Sequence, residues 1–317
     1  MSDPSELGWS PGRVRLGFGL LVVLGFALPH LIYPVFAMNV LCMALFASAL
    51  NLLLGYAGLL SFGHAAFLGA AGYAAGWALK DLGLSTELAV LLGTSAATLL
   101  GAAVGGLATR RSGIYFAMIT LGLAQLVYFL AVRMPFTGGD DGLQGVPRGR
   151  LFGLISLEGN LRAYYFIYGL FLAGFFLIHR TIHSPFGHVL RAIRENEGRA
   201  LSLGYDVDRY KLLVFVISAG LSGLSGAMKT VVFQSETLTD VHWLMSGQVV
   251  LMTLLGGMGT VLGPSVGALV VLVLQNYLAG WGSYTTVITG AVFVLGVLLF
   301  RRGFVGEAIA LARKFPF

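Results

Sequence analysis

Charge is what this chain has least of. Only 11% of its 317 residues are Asp, Glu, Lys or Arg, where a soluble domain carries roughly 25%. So little polar surface excludes a water-facing globule of this size. Cysteine is nearly absent: the single Cys42 lies in an apolar run, which excludes an intrachain disulfide. There is no G-x-x-x-x-G-K-[ST] loop; the nearest string, GLSGAMKT at 223–230, lacks the glycine before the lysine. A Walker-type ATP site is thereby excluded. No metal-ligand cluster and no nucleophile–base pair stands out either.

What is present is apolar. Hydrophobic residues make up 57% of the chain and mean hydropathy is +0.84. Many runs approach or exceed the ~17–20 residues that cross a bilayer, and the 45 glycines suit close approach of membrane helices. The expected fold is an all-α, polytopic membrane protein with about ten membrane segments, some of them short broken helices. The segments are read at 16–35, 37–54, 63–80, 88–109, 113–133, 163–180, 211–232, 246–263, 265–280 and 284–300. Arg13 and Arg15 before the first run resemble a signal peptide. No small-x-small cleavage site follows, however; Pro29-His30 does, so the run is read as a first span.

Lysine and arginine set the sidedness. With both termini cytoplasmic, inside segments hold 14 of the 20: Arg13, Arg15, Arg110, Arg111, Arg180, Arg191, Arg194, Arg199, Arg209, Lys211, Arg301, Arg302, Arg313 and Lys314. Residues 1–15 and 304–317 then form cytoplasmic ends of one transmembrane domain, 16–303. A loop at about 181–210 faces the cytoplasm and one at about 134–162 faces outward. The net charge of +6 is accounted for by these topology signals and needs no nucleic-acid partner.

All 14 carboxylates, Glu236 and Asp240 among them, fall outside the expected span centres, leaving His64 as the one ionisable side chain expected inside the bilayer. Proton-driven carriers use buried Asp or Glu, so their lack argues against that class. Sodium coupling through backbone carbonyls stays open. If the chain pumps, the energy enters from a partner.

One stretch departs from the rest. SPFGHVLRAIRENEGRALSLGYDVDRYK, at 184–211, carries nine of the 34 charges. Ser184 is a fitting N-cap, Pro185 suits a first helical turn and Gly204 is a natural stop. Val189, Ile193, Ala200 and Leu203 recur at helical spacing, and Arg191–Glu195 and Glu195–Arg199 are i,i+4 pairs on the polar side. The segment is either an amphipathic helix on the inner membrane surface or a docking helix for a cytoplasmic partner.

Two glycine-rich breaks carry no charge: GYAGLLSFGH at 55–64 and GGMGTVLGP at 256–264. Irregular backbone in a bilayer must be satisfied internally or line a cavity. Aligning Gly55 with Gly256 also aligns Gly58 with Gly259, a hint of an internal repeat with broken segments in matching places. Gly58, Gly63, Gly256 and Gly257 thus either line a pathway or let helices pack, as the small-xxx-small pairs Gly101/Gly105, Gly259/Gly263 and Gly263/Gly267 do. Tyr56, Ser61, His64, Thr120 and Gln125 are polar groups in apolar surroundings. They either bind a zwitterion or bridge helices. TGGDDGL at 137–143 is a turn, and Asp140 and Asp141 lack EF-hand spacing.

The charged stretch closely resembles the cytoplasmic loop of the branched-chain amino acid ABC transporter permeases, the M-type subunit of the Liv systems. NLLLGYAGLLSFGHAAFLGAAGYAA (51–75), GIYFAMITLGLAQ (113–125), TGGDDGL (137–143) and GQVVLMTLLGGMGTVLGPSVGA (247–268) match the same family in order. His188 and Gly198 are mild departures from it. The resemblance implies a subunit of a multi-pass inner-membrane importer that pairs with a second, different permease subunit. Two ATPase subunits, holding ATP and Mg, would sit below, and a periplasmic substrate-binding protein above. The chain itself would bind no cofactor or metal and would be no enzyme. ATPase coupling falls by resemblance on Ser184, Pro185, Phe186, Gly187, Arg191, Arg194, Glu195, Asn196 and Gly204. Contact with the binding protein falls on Thr137, Gly138, Gly139, Asp140, Asp141 and Gly142. The implied substrate is Leu, Ile or Val; relatives import urea, amides or aromatic acids. From another class, a self-sufficient channel or secondary carrier is the alternative, and a membrane-embedded enzyme a weaker one.

Overall fold

The structure, a computed structural model, describes residues 25–282, 284–300 and 303–307. The first part of the expected 16–35 span lies outside these residues. So do Arg13, Arg15, Arg301, Arg302, Arg313, Lys314 and most of the expected C-terminal tail.

Among the described residues the fold is helical. A helix over 25–31 (α1) stops before Pro34, whose ring starts α2 (Pro34–Asn51) at its first turn. α2 runs straight into a π-helical turn, Leu52–Ala57. There follow α3 (His64–Lys80), α4 (Thr86–Ala108), α5 (Gly113–Arg133), α6 (Asn160–Ile182), α7 (Pro185–Glu195), α8 (Glu197–Ser202), α9 (Val207–Phe233), α10 (Leu238–Val241), α11 (Trp243–Gly256), α12 (Gly263–Leu278) and α13 (Tyr284–Leu299). A last helical piece, α14, covers 303–307. Two small antiparallel pairs complete it. β1 (Leu143–Gln144) pairs with β4 (Ser235–Glu236), and β2 (Arg150–Leu151) with β3 (Ile155–Ser156).

Among the described residues, six helices are long and apolar enough to cross a membrane: Pro34–Ala57, Thr86–Ala108, Gly113–Arg133, Asn160–Ile182, Val207–Phe233 and Gly263–Trp281. The polytopic all-α expectation holds. The segment expected at 37–54 is longer than its apolar run suggested, because the π-turn carries the helix on to Ala57.

α2 and α9 form the centre. Of their apolar windows 78% and 72% are buried, against 22% for α5, which turns most of its surface outward. Small residues allow the approach: a methyl at Gly101 on α4 would overlap Ala219 on α9, and one at Gly226 would overlap the Leu68 carbonyl on α3. The expected Gly101/Gly105 packing face is thus present. Hydroxyls tie the centre together. Ser225 donates to the Cys42 carbonyl at 2.7 Å and Ser218 to the Ala49 carbonyl at 2.6 Å. Each such bond between membrane helices is worth ~0.6 kcal/mol. GLSGAMKT lies wholly inside α9, not at a strand-to-helix loop.

Candidate functional site

The charged stretch does not form one helix to Gly204. It divides at Asn196, whose extended backbone (φ −157°) ends α7 and starts α8. The Asn196 side chain accepts the Arg199 N–H at 3.0 Å, an N-cap that outcompetes helix continuation. At the other end, Ser184 accepts the Gly187 N–H at 3.4 Å and donates to the Thr181 carbonyl at 2.7 Å. Gly187 sits against the Ile182 carbonyl where a methyl would overlap. The apolar face is Leu190, Ile193 and Ala200; Leu203, expected on it, is 70% exposed, since the break rotates α8. Gly204, with φ 87°, ends the pair in a left-handed turn.

The expected i,i+4 ion pairs do not form among the described residues; Arg191 and Arg194 turn toward the membrane helices, and Arg199 is exposed. Arg191 donates to the Ile182 carbonyl at 3.2 Å and lies 5.5 Å over the Tyr56 ring. Arg194 donates to the Gly55 carbonyl. That carbonyl belongs to the end of the α2–π-helix run, where oxygens lack intrahelical partners and cations are favoured. Two further contacts weld the pair to α9: Phe186 stacks on Tyr210 at 5.4 Å, and Lys211 meets Glu197 at 2.7 Å. Glu195 points outward, exposed.

The two glycine breaks meet in space. A methyl at Gly55 would come 2.7 Å from the Gly259 nitrogen. Asn51 clamps them: its Oδ1 accepts the Gly259 N–H at 2.8 Å and its Nδ2 donates to the Thr260 carbonyl at 2.9 Å. Gly58 (φ 73°) turns the chain out of the π-helix, and Gly259 (φ 78°) does the same in the second break. Gly256 and Gly257 stand at the end of α11 beside this clamp. A continuous line of contacts therefore runs from α7 through Arg194 and Gly55 to Asn51 and the 257–262 turn.

Beyond Gly58 the chain returns through polar anchors. His64 is fully buried. Its Nδ1 lies 2.9 Å from Ser61 Oγ and its Nε2 2.8 Å from Ser218 Oγ, so both ring nitrogens are engaged. Thr120 accepts the Phe62 N–H at 3.3 Å, and Gly63 fits against the Thr120 carbonyl. Ser61, His64 and Thr120 thus converge on one turn, while Tyr56 faces Arg191. Gln125 forms no hydrogen bond among the described residues and stays apart from it.

At the far end of α9 the 137–142 turn meets the chain after Phe233. Gly142 (φ 68°) backs onto the Glu236 carbonyl, because β1 and β4 pair Leu143 with Glu236. Thr137 is buried and donates to the Ala131 carbonyl. Gly138 and Gly139 are left-handed too. Asp140 and Asp141 stand exposed without an ion pair among the described residues. Here the expectation for the carboxylates needs correction. The connection bearing Glu236 and Asp240 folds inward against Gly72 of α3, leaving the two residues 1% and 5% exposed. Burial first, and the Asp240 charge second, push the Glu236 carboxyl well above the usual range. Asp240 pairs with Lys229.

Sequence reasoning missed Asn51, Ser218 and Arg148. Arg148 is buried and donates to Asn160 Oδ1 at 2.7 Å and to the Val232 carbonyl at 3.2 Å, pinning the 134–159 loop to the end of α9. An amide at 51 at the end of an apolar helix was the available signal, since it must find partners there.

No solved structure matches the chain. The chain is 28% identical over 275 residues to the high-affinity branched-chain amino acid transport system permease protein LivM of Escherichia coli (strain K12). That match covers 78% of the chain and 63% of the relative, and the LivM of Salmonella typhimurium matches equally. The chain thus spans about 63% of the length of these relatives. The ribose import permease protein RbsC of Escherichia coli (strain K12) is 28% identical over 229 residues, covering 67% of the chain and 69% of that protein. The model of the family described as branched-chain amino acid transport system / permease component matches residues 35–297, and the chain belongs to that family.

Proposed function

We propose that this chain is a membrane-spanning permease subunit of a binding-protein-dependent ABC importer. It forms half of a translocation pathway for Leu, Ile or Val and works by ATPase-driven alternating access. The observation that carries the reading is the Arg194–Gly55 contact. It joins a charged helix pair, built for docking, to the broken membrane helix whose far side is clamped to the second break. The catalytic ATP and Mg belong to two partner ATPase subunits; a second, different permease subunit completes the pathway, and a periplasmic binding protein delivers substrate. The chain itself catalyses no covalent step.

In this reading the protein is multi-pass in a bacterial-type inner membrane, with about ten membrane segments and cytoplasmic termini. α7 and α8 face the cytoplasm, and the 134–162 loop faces outward. The exposed side of α7 and α8, with Glu195 and Asn196, meets the ATPase; Ser184, Pro185, Phe186, Gly187 and Gly204 fix the shape of the pair. The breaks at 55–64 and 256–264 move when the ATPases close, because Arg194 and Asn51 link them to α7. Gly58, Gly63, Gly256 and Gly257 allow that backbone to bend beside the pathway. Residues 137–142 meet the binding protein. The importer fails as a reading if the tagged chain co-purifies with no ATPase. The match to a ribose import permease favours, as a second reading, the same machinery with another small solute. Leucine binding by the cognate binding protein separates the two.

A further inference from the structure

At the end of α9 opposite the charged helix pair lies a cavity of about 330 Å³, within the ~300–1,000 Å³ range of small-molecule sites. α7 packs on α9 at Tyr210 and the cavity is lined by Lys229 and Phe233, so the two stand roughly 30 Å apart along the helix at 1.5 Å per residue. Its wall carries one cation and one anion, Lys229 and Asp240, paired with each other and with side chains only 14% and 7% exposed. Hydroxyls of Ser235, Thr237 and Thr239 line it as well, and Phe233 and Met245 supply apolar surface.

A buried ion pair is a weak source of stability, because desolvation offsets the attraction. Holding one at the wall of an open cavity makes sense for a ligand that carries both charges. An amino acid holds its ammonium and carboxylate on one carbon, so a receptor needs an anion and a cation side by side. Asp240 and Lys229 have that arrangement, with Thr237 Oγ1 3.2 Å from Asp240 Oδ2 to orient the carboxylate. A solute with a single charge would meet repulsion from one member, and a sugar, though able to hydrogen-bond both, would neutralise neither charge. Glu236 Oε1 and the Tyr73 hydroxyl are buried without hydrogen-bond partners among the described residues.

We propose that this cavity is an entry site for a zwitterionic α-amino acid. The ammonium lies on Asp240, the carboxylate on Lys229 and the threonine hydroxyls, and an aliphatic side chain on Phe233 and Met245. The site deepens the importer reading and rests on it for its place in transport. The β1–β4 pairing sets it beside the 137–142 turn, where delivery from a binding protein would occur.

The test is saturable binding of radiolabelled L-leucine to the purified, nucleotide-free complex without binding protein, with uptake measured in parallel. Leucine should bind, and 4-methylpentanoate, which lacks the ammonium, and ribose should not compete. The exchange Lys229→Asp with Asp240→Lys keeps a pair but reverses it, and should weaken leucine at least tenfold in a complex that still assembles. Thr239→Trp, placed at the exposed rim, should do the same by filling the cavity, and it decides the matter if the exchanged complex does not assemble. No saturable leucine binding by the unaltered complex, or wild-type affinity in the assembled variants, overturns the site. Leucine binding without ATP-driven uptake would instead overturn the importer reading and leave the site standing.

Discussion

Asn51→Ala tests the clamp between the two breaks. Asn51 is 2% exposed, and its amide serves the Gly259 N–H and the Thr260 carbonyl at 2.8 and 2.9 Å. Alanine leaves both without a side-chain partner. An orphaned buried group costs about 1–3 kcal/mol. The Gly259 N–H, fully enclosed, bears that in full, and the part-buried Thr260 carbonyl bears less, which together gives about 2–4 kcal/mol. Asn51→Asp should do no better: it keeps an acceptor for Gly259 but sets an oxygen against the Thr260 carbonyl. Denaturant titration of the purified complex in mild detergent measures the loss. A loss under about 0.5 kcal/mol, the scale of a neutral surface change, would refute the clamp.

Gly55→Ala should disrupt the same place, because its methyl would strike Asn51 and the Gly259 nitrogen. Gly106→Ala on α4 meets open space and should gain about 0.4–1 kcal/mol; equal thermal midpoints for the two would contradict the packing. Glu236 governs a pH dependence. Its carboxyl is raised above the ordinary 4.5 by burial and then by Asp240, so the folded protein holds a proton that the unfolded chain releases. The corresponding stability is complete below about pH 4.5 and is lost as pH rises through the raised folded value. Thermal midpoints of Glu236→Gln across that window should be flatter than those of the unaltered protein, and identical slopes would refute a protonated Glu236. Thr230 Oγ1 lies 2.6 Å from Glu236 Oε2 and 3.2 Å from the Gly226 carbonyl. Its one proton serves a single acceptor, so a proton on Glu236 completes the chain of bonds.

Elements with a strong local signal were legible in the sequence. Long apolar runs at 86–108 and 113–133 became helices, and Ser184-Pro185 started one as capping chemistry demands. The division at Asn196 was less so, because the apolar spacing continues across it; the amide that caps α8 was the local clue. The meeting of the breaks was not legible at all. Gly55 and Gly259 are about two hundred residues apart, and matching glycine spacing says nothing of whether the two surfaces touch. Arg191 on the polar face read as a partner of Glu195, yet it turns to the open Ile182 carbonyl at the end of α6. Glu236 and Asp240 looked peripheral because chain position says nothing of a connection folded inward.

The most direct test of the account is the number of leucine molecules imported per ATP hydrolysed by a reconstituted complex carrying Arg194→Ala. If Arg194 carries motion from the docking helices to Gly55, the complex assembles, hydrolyses ATP within about twofold of the unaltered one, and imports at least tenfold less leucine per ATP. An unchanged ratio would contradict the account.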